Sequence, residues 1–385
     1  MKRLIASTAG CLLVLTAAGA ATALPAAAAG KVRVKVVASG LNSPKHLLYT
    51  AHGVYVVESG TGGSSCVTGP GLEPGKTAQY CAGTTGSVAL IKGSHVTTAL
   101  SGLGSVTEGE EASGPSAVTV SAHGKLSVLY QDVLVEADGK NGLAEPAKAL
   151  AGTFRISPSL SVNIAAYDAA HPQDAATFGG TPGETTYDSD PYDVVPYKSG
   201  YVVADAAANS ILLVSRTGAI SRLAYFPTLP ETVPAGVFGP KPVPVDAQAV
   251  PTSLAVRGNA IYVGLLRGVP SEPGTAYIYR VVPGHKPQVW AKGLSAVTAI
   301  AFDSKGRLLA TEYSTGGLLA APKVPGALVR VSANGKKVTA LPVSGLVEPT
   351  GVAVSPSGDI WVANNGTSSA TAKPSGEVLE ITGLH

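Results

Sequence analysis

Charge is scarce in this sequence. Of 385 residues only 14% are Asp, Glu, Lys or Arg, and the formal balance is +3. Lys2 and Arg3 supply two of those positive charges at the extreme N-terminus, so the rest of the chain carries about +1. A chain this close to neutral offers no basic surface for nucleic acid or for an anionic membrane. Catalytic signatures are missing too: there is no H-E-x-x-H, no G-x-S-x-G elbow, no Walker loop, no G-x-G-x-x-G and no C-x-x-C. Zinc-protease, covalent-hydrolase and nucleotide-dependent readings lose their ground. Beyond the first thirty residues, no stretch is apolar for long enough to span a bilayer.

The first residues read as a targeting segment. The basic pair Lys2-Arg3 precedes the nearly uncharged run Leu4–Leu24, and Pro25 leads into Ala26–Ala29. A basic head, an apolar middle and a small-residue exit describe a secretory signal peptide over residues 1–29, cleaved near Ala28 or Ala29. Cys11 lies inside the apolar run with Thr8 where a lipobox needs Leu, which excludes a lipoprotein reading. The mature chain is therefore expected to be secreted and extracellular, free of the membrane after cleavage, and monomeric. It keeps two cysteines, Cys66 and Cys81, and pairing with each other is the expectation outside the cell.

Forty-six Gly and 28 Pro set against few long polar residues point away from helices. What is present instead is a repeat. Pro349-Thr-Gly-Val-Ala-Val-Ser, a Pro-Ser-Gly turn, Asp359-Ile-Trp-Val-Ala and Gly376-Glu-Val-Leu-Glu-Ile form three short apolar strands. The pattern recurs from Ser43, Gly114, Asp190, Val250 and Ala296. A fourth strand follows five of the six copies, at Val96–Leu100, Ser161–Ala166, Ile220–Ala224, Gln288–Ala291 and Lys337–Leu341. The last copy lacks one, and an orphan strand, Val32–Val37, opens the mature chain. The fold expected is all-β: a six-bladed β-propeller of four-stranded antiparallel blades, closed by the N-terminal strand pairing into the last blade. Blades fall near residues 42–103, 113–168, 188–227, 249–294, 295–346 and 347–382 plus 31–38, within one domain over 30–385.

Turns between first and second strands, and between third and fourth, are short. The long insertions sit between second and third strands (Ser59–Thr85, Gln131–Ala151, Ser314–Pro325, Asn364–Ser375) or between blades (Ala169–Ser189, Pro227–Ala249). In an up-and-down blade both kinds of connection emerge on one face. That elaborated face is where a small molecule, glycan or protein is expected to bind.

The blade grammar resembles NHL-type propeller repeats, with Asp205-Ala-Ala-Ala-Asn-Ser-Ile211 similar to the acidic-to-Asn turn of that repeat. Gly114–Val118, Asp190–Arg216 and Thr252–Gly264 running on to Arg280 together resemble the exported ScyD/ScyE family, named for proteins of the scytonemin pigment cluster and also widespread in actinobacteria. The resemblance covers nearly the whole mature chain. It implies a secreted propeller and, through the family name, a part in handling a secreted secondary metabolite; it brings no catalytic residues. Leu265 stands where members often carry an acid.

The ends of the six second strands are Glu58, Tyr130, Asp205, Leu265, Glu312 and Asn364, and the first strands begin at the same mouth with Lys45, His46, Ser116, Tyr192, Asp193, Thr252, Thr298 and Thr350. Two readings stand for the polar set His46, Glu58, Asp193, Asp205, Glu312 and Asn364. Converging oxygens suit a ligand or Ca²⁺, a hard cation, with His46 or Asp193 as acid or base in a lactonase-, lyase- or oxidoreductase-like reaction. Alternatively these side chains cap the connecting loops by accepting backbone N–H bonds, the preferred reading because Asp and Asn do this at strand ends. The acidic cluster Asp188–Asp193 lacks calcium-loop spacing, Glu108–Glu111 reads as a solvated connector, and the proline-rich Pro227–Pro251 reads as a stiff surface arm.

Overall fold

A computed structural model describes residues 32–70, 77–109, 111–120, 124–131, 152–171, 189–237, 239–321, 324–367 and 374–384. Strand β1 (Arg33–Leu41) is the orphan strand. Blade 1 follows with β2 (Pro44–Thr50), β3 (Gly53–Glu58), β4 (Ser65–Pro70), β5 (Thr77–Lys92), β6 (His95–Glu108) and β7 (Glu111–Ser113). Blade 2 has β8 (Pro115–Val120), β9 (Leu126–Tyr130), β10 (Thr153–Ser157) and β11 (Leu160–Asn163), then a short helix α1 (Ile164–Ala170). Blade 3 is β12 (Pro191–Tyr197), β13 (Gly200–Asp205), β14 (Ser210–Ser215) and β15 (Ile220–Tyr225). A separate hairpin, β16 (Leu229–Val233) and β17 (Val243–Ala247), precedes blade 4: β18 (Pro251–Arg257), β19 (Ala260–Leu265), β20 (Ala276–Val281) and β21 (Gln288–Leu294). Blade 5 comprises β22 (Val297–Phe302), β23 (Leu308–Glu312), β24 (Ala327–Val331) and β25 (Val338–Ala340), and blade 6 comprises β26 (Gly351–Val354), β27 (Ile360–Asn364) and β28 (Gly376–Thr382).

The last sheet runs β1-β28-β27-β26, so the N-terminal strand is the outer strand of blade 6. Its register pairs Val34 with Ile381, Val36 with Leu379 and Ala38 with Val378. The closure expected from the surplus and missing strands is present, and six blades form the propeller.

Among the described residues the buried apolar side chains form seven clusters; one, around Tyr80, Ala82 and Val106, lies within the extension of blade 1, and the other six each lie between two neighbouring blades. Val57, Val88 and Leu103 of blade 1 meet Val118, Val128 and Tyr130 of blade 2. Phe154 and Ile164 meet Tyr201 and Val203, and Ile211 meets Ile261 and Val263. Tyr262 and Ile278 meet Ile300 and Val329, Leu309 and Leu328 meet Val362 and Leu379, and Ala353 and Val378 meet Leu47 and Val56. Each blade buries one side of its sheet against each neighbour, which accounts for the nearly continuous apolar second strands such as Tyr201-Val-Val-Ala. Closing the circle gives every face a partner.

Three insertions carry structure that apolar periodicity does not announce. Within Ser59–Thr85, β4 pairs with the first half of β5, Cys66 sits directly opposite Cys81, and the two form a disulfide. At the Glu108–Glu111 connector, Glu108 of β6 pairs with Glu111 of β7. The proline-rich arm is a hairpin, with Glu231 of β16 opposite Val245 of β17. The fourth strand of blade 2 ends at Asn163 rather than Ala166, because the Asn163 side chain accepts from Ala166 N (2.7 Å) and caps α1. Most of Gln131–Ala151 and Ala169–Ser189, with Asp188 and Glu110, lies outside the described residues.

Candidate axial site

The innermost strands β2, β8, β12, β18, β22 and β26 each pack against the next around the ring. They begin with a shared motif: Pro44-Lys-His, Pro115-Ser-Ala, Pro191-Tyr-Asp, Pro251-Thr-Ser, Val297-Thr-Ala and Pro349-Thr-Gly. Ladder register shifts between Pro44 and Leu47, and just after Pro115, Pro191, Pro251 and Val297. Such a bulge turns the second residue out of the regular alternation. The residue before the motif is left-handed in four blades although none is glycine: Ser43 (φ 51°), Val250 (φ 53°), Ala296 (φ 41°) and Glu348 (φ 44°). Holding an L-residue there costs about 1–2 kcal/mol, and such strain gathers where structure around it over-determines the backbone.

The second residues explain what is held. Thr252 Oγ1 donates to the carbonyl of Val297 (2.6 Å), Thr298 Oγ1 to that of Pro349 (2.6 Å), and Thr350 Oγ1 to that of Pro44 (2.6 Å). Ser116 Oγ donates to the carbonyl of Pro191 (2.8 Å). Each hydroxyl therefore ties its blade to the first residue of the next, across four of the six junctions. Blades 1 and 3 depart from the rule. Where the others have Ser or Thr, they carry Lys45 and Tyr192; the Pro115 carbonyl accepts a hydrogen bond from Ser59 Oγ instead (3.0 Å).

The third residues repeat the asymmetry. They are Ala117, Ser253, Ala299 and Gly351 in blades 2, 4, 5 and 6, but His46 and Asp193 in blades 1 and 3. A side chain on Gly351 would meet the Lys45 carbonyl, its Cβ 2.4 Å away, so only glycine lets blade 6 approach blade 1 this closely. His46 Nε2 lies 3.3 Å from Asp193 Oδ1. Asp193 also accepts from Val194 N through Oδ1 and from Leu254 N through Oδ2, both at 2.7 Å, which locks the carboxylate between blades 3 and 4. Burial pushes the Asp193 carboxyl up, against His46 and those two N–H donors, and pushes the His46 imidazole down, against Asp193. Both groups are thus driven toward their neutral forms. His46 Nδ1 is buried with no hydrogen-bond partner among the described residues.

Around Lys45 and Tyr192 the mouth is acidic. Burial holds the Lys45 ammonium below the usual lysine range, opposed by Glu111, Asp190 and Glu348. Burial pushes the Tyr192 phenol up, and Asp190, Asp193 and Glu111 push it further. Tyr313, the residue after Glu312, is raised by burial and by Glu348 and Tyr192, while its hydrogen bond to Thr367 opposes. Tyr313 Oη and Thr367 Oγ1 are 2.9 Å apart, and Thr367 donates on to Glu348. Lys45 and Tyr192 have Glu111 and Asp190 in common, and Lys45 and Tyr313 have Glu348 in common.

The second-strand ends are placed differently. Glu58 accepts from Asn42 N (2.8 Å) and Ser87 Oγ (2.9 Å), Glu312 from Ser295 N (2.9 Å), and Asn364 from Val347 N (2.8 Å). Asp205 accepts from Asp190 N (2.8 Å), Ala208 N (3.0 Å) and Ser189 Oγ (2.5 Å). All four reach the connector entering their own blade. Tyr130 and Leu265 belong to inter-blade apolar clusters. Among the described residues no three His, Cys, Asp or Glu side chains gather as a metal-binding group. The structure thus brings His46 and Asp193 together, and leaves Glu58, Asp205, Glu312 and Asn364 each on its own blade junction. Sequence reasoning named Lys45 and Tyr192 only as first-strand starts and missed Tyr313 and Glu348; the signal was the alignment of the second motif position, Lys-Ser-Tyr-Thr-Thr-Thr.

Residues 346–369, at the start of blade 6, match the NHL repeat family. No curated protein matches the chain. Among solved structures the chain is similar to a glucose dehydrogenase (14% identity, TM-score 0.49, covering 91% of this chain and 99% of that one). It is also similar to a streptogramin B lyase (9%, 0.47, 91% and 97%) and to virginiamycin B lyase from Staphylococcus aureus (13%, 0.46, 91% and 99%).

Proposed function

We propose that this chain is a secreted binding propeller of the ScyD/ScyE kind, taking a small molecule at the axial mouth on its loop-rich face. One observation carries the reading: two of six equivalent ring positions abandon the hydroxyl that ties blades together and present an ammonium and a phenol instead. A scaffold under selection for stability alone has no use for that exchange, whereas binding sites commonly give up local stability. The disulfide, and the lack of any described helix long and apolar enough to cross a membrane, are compatible with export.

The test restores the ring. A Lys45→Thr, Tyr192→Thr double variant reproduces the motif of the other four blades and should fold as well as the parent. Saturation-transfer NMR against a panel of small sugars, amines, carbonyl compounds and phenols should give a ligand for the parent and none for the variant. A ligand held equally by both moves the site away from the axis. Calorimetric titration of Ca²⁺ after chelator treatment addresses the alternative of a Ca²⁺-assisted lactonase-, lyase- or oxidoreductase-like enzyme; binding heat with a raised melting temperature favours that alternative.

A further inference from the structure

Lys45 is the feature of the mouth that the fold leaves without a purpose. Its side chain is only 8% exposed, and among the described residues its ammonium takes part in no ion pair and no hydrogen bond. A lysine buried to this degree is almost always paired. Glu111, Asp190 and Glu348 act on it from the blade connectors, and Tyr192 shares two of those carboxylates with it. His46 follows it in sequence and holds Asp193 across the axis.

We propose that Lys45 is a carbonyl-capturing amine, and that the axial mouth takes an uncharged aldehyde or ketone as a reversible imine. The proposal rests on the reading of the mouth as a small-molecule site and names the ligand class. The Lys45 ammonium first gives one proton to a neighbouring carboxylate or to water. Its lone pair then adds to the carbonyl carbon, and the C=O π pair moves to oxygen, which is protonated. The amine nitrogen loses its second proton, a second proton on the carbinolamine oxygen lets it leave as water, the nitrogen lone pair closes the C=N bond, and loss of the last N–H proton gives the imine. Amine plus carbonyl gives imine plus water, with no oxidant or reductant required.

Each neighbour suits a step. Desolvation favours the neutral, nucleophilic amine, and burial outweighs the carboxylates at Lys45. Once the imine is protonated, Glu111, Asp190 and Glu348 face a cation they stabilise. The same three charges repel an anionic carbonyl compound, which is why the ligand is uncharged. The half-buried phenols Tyr192 and Tyr313 share carboxylates with Lys45, so an aryl aldehyde is the suitable probe.

The experiment treats the whole folded chain with benzaldehyde and sodium cyanoborohydride and maps N-benzyl-lysine by peptide mass spectrometry. Exposed Lys92, Lys305 and Lys336 are internal controls. Lys45 should label about tenfold faster than these, glyoxylate should show no such preference for Lys45, and Tyr192→Phe should slow labelling at Lys45 without changing the controls. In Lys45→Arg the fast-labelling peptide should disappear. Uniform labelling of all lysines, or slower labelling at Lys45, overturns the proposal. If benzaldehyde binds by NMR but no adduct is trapped at Lys45, the binding reading stands and the imine falls.

Discussion

Thr298→Val tests whether the inter-blade hydroxyls hold the ring. Thr298 is buried, and its Oγ1 lies 2.6 Å from the Pro349 carbonyl and 2.9 Å from Thr311 Oγ1. Valine keeps the volume and the β-branch, so packing barely changes. What is lost is a short donor to a carbonyl of the next blade, and Thr311 keeps only its long contact to the Ala299 carbonyl (3.4 Å). Deleting one partner of a buried hydrogen bond costs about 1–3 kcal/mol. Unfolding entropy of about 2.1 cal/mol/K per residue converts this, over the mature chain, into a melting temperature lower by about 1.5–4 °C. The assay is urea and thermal unfolding followed by far-UV circular dichroism and tryptophan fluorescence, accepted only where the two transitions coincide. Thr339→Val on the exposed outer strand of blade 5 is the control and should move stability by less than about 0.5 kcal/mol. A Thr298→Val protein as stable as that control refutes the ring as a stabilising device. Thr252→Val and Thr350→Val should then match Thr298→Val, since all three make the same 2.6 Å bond.

Deleting residues 33–38 should expose the edge of β28, which pairs with β1 from Gly376 to Thr382; size-exclusion chromatography should show association, and a monomer of unchanged stability would count against closure by this strand. Asp205 predicts a pH dependence. Burial, and next Asp168, raise its carboxyl to about 7, against donors Ser189, Asp190 and Ala208. The folded state therefore keeps a proton that the unfolded chain has released by about pH 4, so this contribution is full below that pH and is lost as pH rises toward 7. Parent stability should fall by a few kcal/mol at most across that window, and Asp205→Asn should flatten the slope; an unaltered slope places the proton elsewhere.

The strands were legible because each is a short alternating run bounded by turn residues, and their count followed from a surplus strand at one end and a deficit at the other. The same arithmetic located the elaborated face, since loop lengths alone say which end of the blades has grown. The β4–β5 extension and the β16–β17 hairpin were not legible. Their strands, Ser-Cys-Val-Thr-Gly-Pro and Val-Pro-Val-Asp-Ala, carry Gly, Pro and polar residues and become strands only because a partner strand satisfies their backbone.

Chemistry divided along the same line. Acidity at the second-strand ends was visible in the sequence, and so was the capping alternative, because both depend on residues within about twenty positions of one another. Local sequence thus determined blades, closure and candidate caps. Only the tertiary structure decided which side chains share the axis. The Thr350 hydroxyl finds the Pro44 carbonyl across 306 residues, and His46 meets Asp193 from two blades further along the chain. A bulge in the inner strands of blades 1 to 5 also overrides the simple in–out alternation. The second motif positions align in the sequence, but only the closed ring shows that Ser116, Thr252, Thr298 and Thr350 tie neighbouring blades while Lys45 and Tyr192 stand where that tie is missing.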